Sequence, residues 1–313
     1  YSSQFLCLNV CVDLLKYNVE TGLKLEKEFQ KLLKPPHCLE WEKMFYPFIL
    51  FSKKRYVGNL YEHDITKFKQ KSMGIVLKRR DNANIVKIIF GGIINIILND
   101  ISENSIKKSI DFLHNELDKL VNGDCPLNNL IITKTLRGFY KNPMQISHKV
   151  LAERMKKRDA GSAPQINDRV PYIHIQINEE KIMRNKEYGE KILNGDRIED
   201  PDFIKLNNIT PDYEYYITNQ IMKPVCQIYA LVLEDLAGYK YKDRNYYKKI
   251  YQSIINKRKD ELGLKPIDEL PEKYKKKAII KYRELREKDV KEILFDKHLN
   301  KINNKKKNQK NIT

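Results

Sequence analysis

The chain has 313 residues, with 59 Lys plus Arg against 41 Asp plus Glu and a formal charge of +18. At about 150 residues per domain this length suggests two domains, and a hydrophobic share of 41% excludes disorder throughout. So large a positive excess points to a polyanionic partner, either nucleic acid or an acidic membrane surface.

Tyr1 is not a translation start and no charged-then-apolar leader follows it, so the expectation is a piece of something longer. Gln4 to Val12, rich in Leu, Val and Phe, predicts a buried strand. Leu25, Phe29, Leu32 and Leu33 repeat at helical spacing and predict a helix, ended by Pro35-Pro36. Leu39 to Tyr61 is dense in aromatic and β-branched residues and predicts strand, turn and strand; Gly74 to Arg80 predicts another strand. From Asn84 the pattern turns helical, with Ile106, Ile110, Leu113 and Leu117 on one face. A further helix is expected to start with Ser147 as N-cap and to carry Val150, Leu151 and Met155 inward. Val170 to Ile175 alternates like a strand. Ile221 to Leu236 predicts a helix with a proline near its start, and Tyr247, Ile250, Tyr251 and Ile254 mark one more. Residues 271–313 hold fifteen Lys plus Arg and six acids, and Asn303 to Thr313 is polar, low-complexity sequence expected to be disordered. No internal repeat is visible.

Much chemistry is absent. Cys7, Cys11, Cys38, Cys125 and Cys226 form an odd set without a Cys-x-x-Cys pair, against a disulfide framework or a structural zinc module. A reducing compartment fits best. The longest apolar run, Ile85 to Leu98, contains Lys87 and falls short of the roughly twenty residues of a membrane span. No phosphate-cradling Gly-x-x-x-x-Gly-Lys, dinucleotide Gly-x-Gly-x-x-Gly or Gly-x-Ser-x-Gly elbow occurs. The six histidines are scattered, His63-Asp64 is expected to be a surface turn rather than a dyad, and Cys38 a packed thiol rather than a nucleophile.

The informative groups are cationic. Lys53-Lys54-Arg55-Tyr56 follows an apolar run, so an ordered strand delivers cations and an aromatic suited to a phosphate backbone. Lys78-Arg79-Arg80-Asp81-Asn82 ends the next predicted strand. Arg154-Met155-Lys156-Lys157-Arg158-Asp159 closes a helix and runs into Ala160-Gly161-Ser162-Ala163-Pro164, where small residues let backbone amides approach a phosphate; basic residues also suit a helix C-terminus without any ligand. Three such clusters on ordered elements favour nucleic acid over membrane, which one amphipathic basic helix would serve better. Glu40 and Glu42, two apart on a strand, would share a face. Paired carboxylates can hold a divalent cation, but two are too few and Lys43 can pair with one, so an ion pair is the reading from the residues alone.

These clusters, in this order, resemble the C-terminal part of a family B DNA polymerase, the delta-like enzymes of large DNA viruses above all. The matching stretches are Leu39-Glu40-Trp41-Glu42-Lys43 with Tyr46-Pro47-Phe48, Lys53 to Gly58, Gly74 to Asn82, Thr133-Lys134-Thr135-Leu136, Leu151 to Pro164, Asn167 to Tyr172, Glu199-Asp200-Pro201 and Tyr215 to Pro224. They cover about residues 4 to 236. The resemblance implies an α+β fold: an antiparallel palm remnant (1–83), a mostly helical thumb (84–265) and a basic helical or disordered tail (266–313). It implies that Lys53, Lys54, Arg55 and Tyr56 grip the primer strand near its growing end, and that Lys78, Arg79, Arg80, Asp81 and Asn82 lie at the palm–thumb junction on product duplex. Lys134, Asp168 and Arg169 join the DNA-binding set, and Arg154, Lys156, Lys157, Arg158, Gly161 and Ser162 would be thumb elements along the minor groove and backbone. Glu40 and Glu42 match a carboxylate pair near the catalytic metals, which raises the reading of an accessory metal site.

The implied activity is templated DNA synthesis, with Mg²⁺ and deoxynucleoside triphosphates in the intact enzyme, primer–template DNA and the rest of the polymerase chain as partners, and no membrane. The implied place is intracellular, in a host nucleus or a cytoplasmic viral replication site. Departures stand out: Met73 where a Lys is usual, Val76 where a Glu is usual, and no paired-cysteine module. The exonuclease acids, the nucleotide-binding Lys helix and both catalytic Asp motifs are also missing, so the isolated chain is expected to be inactive. By spacing, it begins just after the Tyr-Gly-Asp-Thr-Asp-Ser metal motif, with Ser2 or Ser3 near the final serine, as a split gene, an intein interruption or an incomplete sequence would leave it. Gln309-Lys310-Asn311-Ile312 resembles the first half of a sliding-clamp-binding box. The alternatives are a stand-alone basic nucleic-acid-binding protein and a split-polymerase subunit acting in trans.

Overall fold

The computed structural model describes residues 12–100, 102, 104–177, 179–189, 191–241 and 243–310. The expected strand Gln4 to Val12 lies outside them, except for Val12. That residue opens helix α1 (Val12–Leu32). The expected helix is present, and its apolar row is not buried: Leu25, Phe29 and Leu32 are 50%, 47% and 78% exposed. Their spacing makes an apolar stripe, but no described element packs over it. The segment after α1 runs back along the helix, where Trp41 N donates to Glu26 Oε2 at 2.9 Å and Leu39 N to Gln30 Oε1 at 3.1 Å.

Strands β1 (Met44–Ser52), β2 (Arg55–Tyr61) and β3 (Lys69–Met73) form one antiparallel sheet in that order. The first two are the hairpin expected from their aromatic and β-branched content. The strand expected over Gly74 to Arg80 is absent. Pairing ends at Met73, and Gly74 turns the chain with φ +65° into a short 3₁₀ turn, Val76–Lys78. A Cβ at Gly74 would stand 2.4 Å from the Lys54 carbonyl oxygen, so the turn requires glycine.

The helical part is built on α2 (Asn84–Asn99) and α3 (Ser105–Asn122). The apolar run of the sequence is α2, which buries Ile85, Val86, Ile89, Phe90, Ile93, Ile94, Ile97 and Leu98. Burying each such side chain contributes about 1.5–3 kcal/mol. A Cβ at Gly92 would meet the Phe112 ring at 2.4 Å, so glycine lets the two helices close. The second sheet joins β4 (Ile132–Thr135), β5 (Arg169–His174) and β6 (Ile198–Glu199), all antiparallel. Helix α4 (Ser147–Arg158) precedes β5; Ser147 is its first helical residue rather than its cap, because extended Ile146 holds the cap position without a side-chain bond.

Helices α5 (Glu179–Tyr188), α6 (Pro201–Leu206) and α7 (Tyr213–Tyr215) lead into a widened turn, Tyr216–Ile221, and α8 (Met222–Tyr229). The predicted long helix is thus shorter and irregular at its start, just before Pro224, whose missing N–H removes a helical bond. Tyr216 is fully buried; its hydroxyl donates to the Leu130 carbonyl at 2.7 Å and accepts from His174 N at 2.9 Å.

Helices α9 (Tyr246–Glu261), α10 (Glu272–Leu294) and α11 (Asp296–Lys310) complete the chain. The expected disorder from Asn303 is not found through Lys310. Val290, Leu294, Phe295 and Ile302 enter the same core as α2 and α3, and burial of that row holds the basic tail in helical form. His298 on α11 meets His114 on α3 through ring nitrogens 2.8 Å apart, and Lys301 pairs with Asp118 at 2.7 Å.

Candidate nucleic-acid interface

The first cationic cluster is divided between turn and strand: Lys53 and Lys54 make the hairpin turn, and Arg55 and Tyr56 open β2. Lys53 and Lys54 are exposed at the turn between β1 and β2, with Lys54 at φ 64°. Arg55 points back into the protein: Nε donates to the Gly74 carbonyl at 3.2 Å and Nη2 to Gln227 Oε1 on α8 at 2.8 Å. Tyr56 packs among Phe45 and Phe48, with ring centroids 5.6 and 5.5 Å away. A planar, weakly hydrated guanidinium suits such bridging, whereas an ammonium is better left in water. The turn therefore presents two lysines on an arginine-pinned base.

The second cluster follows the 3₁₀ turn. Arg79 binds Asp81 through two parallel bonds of 3.1 and 2.8 Å, and this arginine holds the Asp81 carboxyl below its ordinary range. Lys78 and Arg80 are exposed, while Asn82 is half-buried. The Arg80 carbonyl accepts from Arg169 Nη2 at 3.3 Å, and the same guanidinium reaches the Thr133 carbonyl at 2.9 Å. Arg169 thus ties the junction to β4, leaving Lys134 exposed beside it. Asp168 shapes the turn before β5 by accepting from Gln165 N at 2.8 Å.

The third cluster splits the same way. Arg158 makes paired bonds of 3.1 and 2.8 Å to buried Glu199 on β6, with its guanidinium 3.5 Å from the Phe203 ring centre. Arg154 lies 3.2 Å from Glu199 Oε2 and donates to the Gly195 and Ile198 carbonyls at 3.2 and 2.5 Å. Lys156 and Lys157 stay exposed. In the small-residue loop the Gly161 amide is not open for a phosphate. It donates to Asp159 Oδ1 at 2.9 Å, and the Ser162 hydroxyl and this amide together hold the Asp159 carboxyl low. Gly161 and Ser162 remain exposed.

Arg55, Arg169, Arg154 and Arg158 therefore act as struts, and Lys53, Lys54, Lys78, Arg80, Lys134, Lys156 and Lys157 are cations left facing water. Hydrogen bonds link the struts from hairpin to junction and from junction to the second sheet, and β6 connects that sheet to α4. Of the strut partners, Gln227 carries no sequence signal, and Glu199 is marked only as part of the Glu199-Asp200-Pro201 stretch, with nothing that pairs it with Arg154 or Arg158.

Glu40 and Glu42 do not share a strand face, because β1 begins at Met44. Both are exposed, Glu42 pairs with Lys43, and no group of three metal-ligating side chains occurs among the described residues. Alone they do not compose a metal centre. His63-Asp64 is a turn: Asp64 Oδ1 accepts from Thr66 N at 2.9 Å, and the His63 ring meets Trp41 edge-on. Cys38 is exposed, not packed as expected. Of the clamp-like Gln309 to Ile312 segment, Asn311 and Ile312 lie outside the described residues.

Comparison with known proteins covers the same elements. The model of DNA polymerase family B matches residues 5–232. The DNA polymerase of Pyramimonas orientalis virus is 49% identical over 300 residues, 96% of this chain and 23% of that protein. The DNA polymerase of Acanthamoeba polyphaga mimivirus is 48% identical over 199 residues, 64% of this chain and 11% of that protein. The DNA polymerase delta catalytic subunit of Caenorhabditis elegans is 34% identical over 232 residues, 72% of this chain and 20% of that protein. The chain thus spans less than a quarter of the length of each.

Proposed function

This chain belongs to DNA polymerase family B, in a region akin to those of large DNA viruses and of delta catalytic subunits, and from that membership we propose that it grips primer–template duplex during templated DNA synthesis. One observation carries the reading: six exposed lysines stand on elements that bridging arginines tie together. Fixed cations on rigid elements position a phosphate backbone without reading its bases. Placement matters to the rate, since a shift of about 1 Å in a reacting end costs about 100-fold.

In this reading Lys53 and Lys54 hold the primer strand, Lys78, Arg80 and Lys134 the junction, and Lys156 and Lys157 the product duplex. Arg55, Arg154, Arg158 and Arg169 position those contacts, while Tyr56, Arg79, Asp81, Asn82, Gly161, Ser162 and Asp168 shape the surfaces between them. The residues at 1–83 serve as the end of a palm, 84–265 as a thumb and 266–313 as a basic extension. Mg²⁺ and deoxynucleoside triphosphate bind with the rest of the polymerase, because Glu40 and Glu42 need further ligands to hold an accessory cation. A sliding clamp is a partner if the Gln309 to Ile312 motif is completed. A host nucleus or cytoplasmic viral replication site is the corresponding place of action; no described helix is long and apolar enough to cross a membrane.

The test is equilibrium binding of the purified chain to a primer–template junction, plain duplex and RNA, with nucleotide incorporation assayed in parallel. Preference for the junction without incorporation is expected. Equal binding to all three, or templated extension by this chain alone, overturns the reading.

A further inference from the structure

Helix α10 lies beyond the residues matched by the family model, yet the alignment with the Pyramimonas orientalis virus polymerase spans 96% of this chain. Its inner side is committed to the protein: Ala278, Arg286, Val290 and Leu294 are buried, and Arg286 pairs with Glu234. The outer side carries Lys273, Lys276, Lys277, Lys281, Lys288 and Lys291, all exposed. Among the described residues none of these six lies within ion-pair distance of a carboxylate, although Lys240, Lys249 and Lys275 nearby each do. Glu272, in the first turn, and Glu284 are the exposed acids of α10.

Helix α10 packs on α8, where Gln227 accepts from Arg55 at the hairpin base. Half-buried Glu287 on α10 feels Lys223, Arg283 and Arg55, and Arg55 is the strut beneath Lys53 and Lys54. Helix geometry gives about 27 Å from Lys273 to Lys291, the length of about eight base pairs of duplex.

We propose that the outward face of α10 is a second contact surface for double-stranded DNA, extending the grip of the hairpin lysines along the duplex. This rests on the reading of the chain as a duplex-gripping polymerase segment. A lipid surface fits poorly, because a membrane-seated helix needs an apolar face free to enter the interface, and on α10 Ile280 alone is an exposed large apolar side chain. A protein partner fits poorly as well, since the row offers no aromatic anchor of the kind on which protein interfaces depend.

The experiment compares the 313-residue chain with K273Q/K277Q/K281Q/K288Q, its all-arginine counterpart, and K53Q/K54Q. Affinity is measured on junctions with duplexes of about 10 and about 30 base pairs over a salt series. The glutamine variant should bind the long duplex about tenfold more weakly, with a log–log salt slope shallower by about 2–4. It should bind the short one within about twofold, and the arginine variant should match the parent. An unchanged slope and affinity on the long duplex overturns the proposal, as does loss confined to anionic phosphatidylserine vesicles. K53Q/K54Q separates the two readings. If it leaves both substrates unaffected while the α10 variant fails on the long duplex, the hairpin grip falls and the α10 surface stands.

Discussion

Glu199 is the residue on which two arginines of the third cluster depend. Its side chain is 6% exposed, against 28% for Arg154 and 33% for Arg158. Removing one partner of such a buried pair leaves charge without compensation, so Glu199→Ala should destabilise the chain by about 3 kcal/mol, read from a shift of the urea midpoint at constant slope. DNA binding by Lys156 and Lys157 should weaken alongside, because the C-terminal turn of α4 loses its anchor. His174 gives a pH signature. Its ring stacks on Tyr215 with centroids 3.4 Å apart, and burial, aided by Lys134 and Arg197, presses its pKa down from 6.5 to about 3. The folded state then refuses a proton that the unfolded chain accepts. Stability from this group is complete above pH 6.5 and drains away as pH falls towards 3, by up to ~1.4 kcal/mol per pH unit. Burial also lowers His114, His148 and His298. His174→Gln should therefore make the loss of stability between neutral and acid pH shallower, not abolish it, in denaturant titrations at several pH values.

Among the elements, the β1–β2 hairpin makes the clearest claim. Lys53 and Lys54 touch no carboxylate among the described residues, so K53Q/K54Q should leave the thermal midpoint unchanged while reducing the salt slope of junction binding by about 1 per lysine, uniformly across sequences. A loss that depended on base sequence would contradict a backbone role. The hairpin was legible because its aromatic and β-branched runs flank a polar turn; α2 and α3 were legible from apolar content and helical spacing. The strand expected at Gly74 failed because Ile75 and Leu77 alternate convincingly, yet a left-handed glycine before them breaks the pairing. The tail looked disordered from its lysines and asparagines, but Phe295, His298 and Ile302 recur at helical intervals and find a core to enter. Composition hid that row. Most elusive was the division of labour among the cations: the sequence shows arginine and lysine side by side, whereas Glu199 and Gln227, which claim the arginines, are distant in the chain and follow no period.

Taken whole, the molecule joins the family-matched region and the later helices through one buried cluster, in which Phe295 and Val290 pack with residues of α2 and α3. Phe295→Ala should cost about 3–5 kcal/mol and lower a single calorimetric transition rather than a separate tail transition. Two resolved peaks, only one of them shifted, would show that the tail folds on its own.

The docking of α11 on α3 also bears on how the chain is made. About 170 residues separate the end of α3 from α11, so at about 5–20 residues per second the ribosome takes several seconds or more to deliver the cover for that flank. Until then His114 and the Val121 carbonyl lack their α11 partners, His298 and Lys305, and a nascent intermediate must be shielded or tolerate the exposure. Codon choice or chaperone supply during that interval should govern the yield of soluble product more strongly than any change to the finished lysine surface.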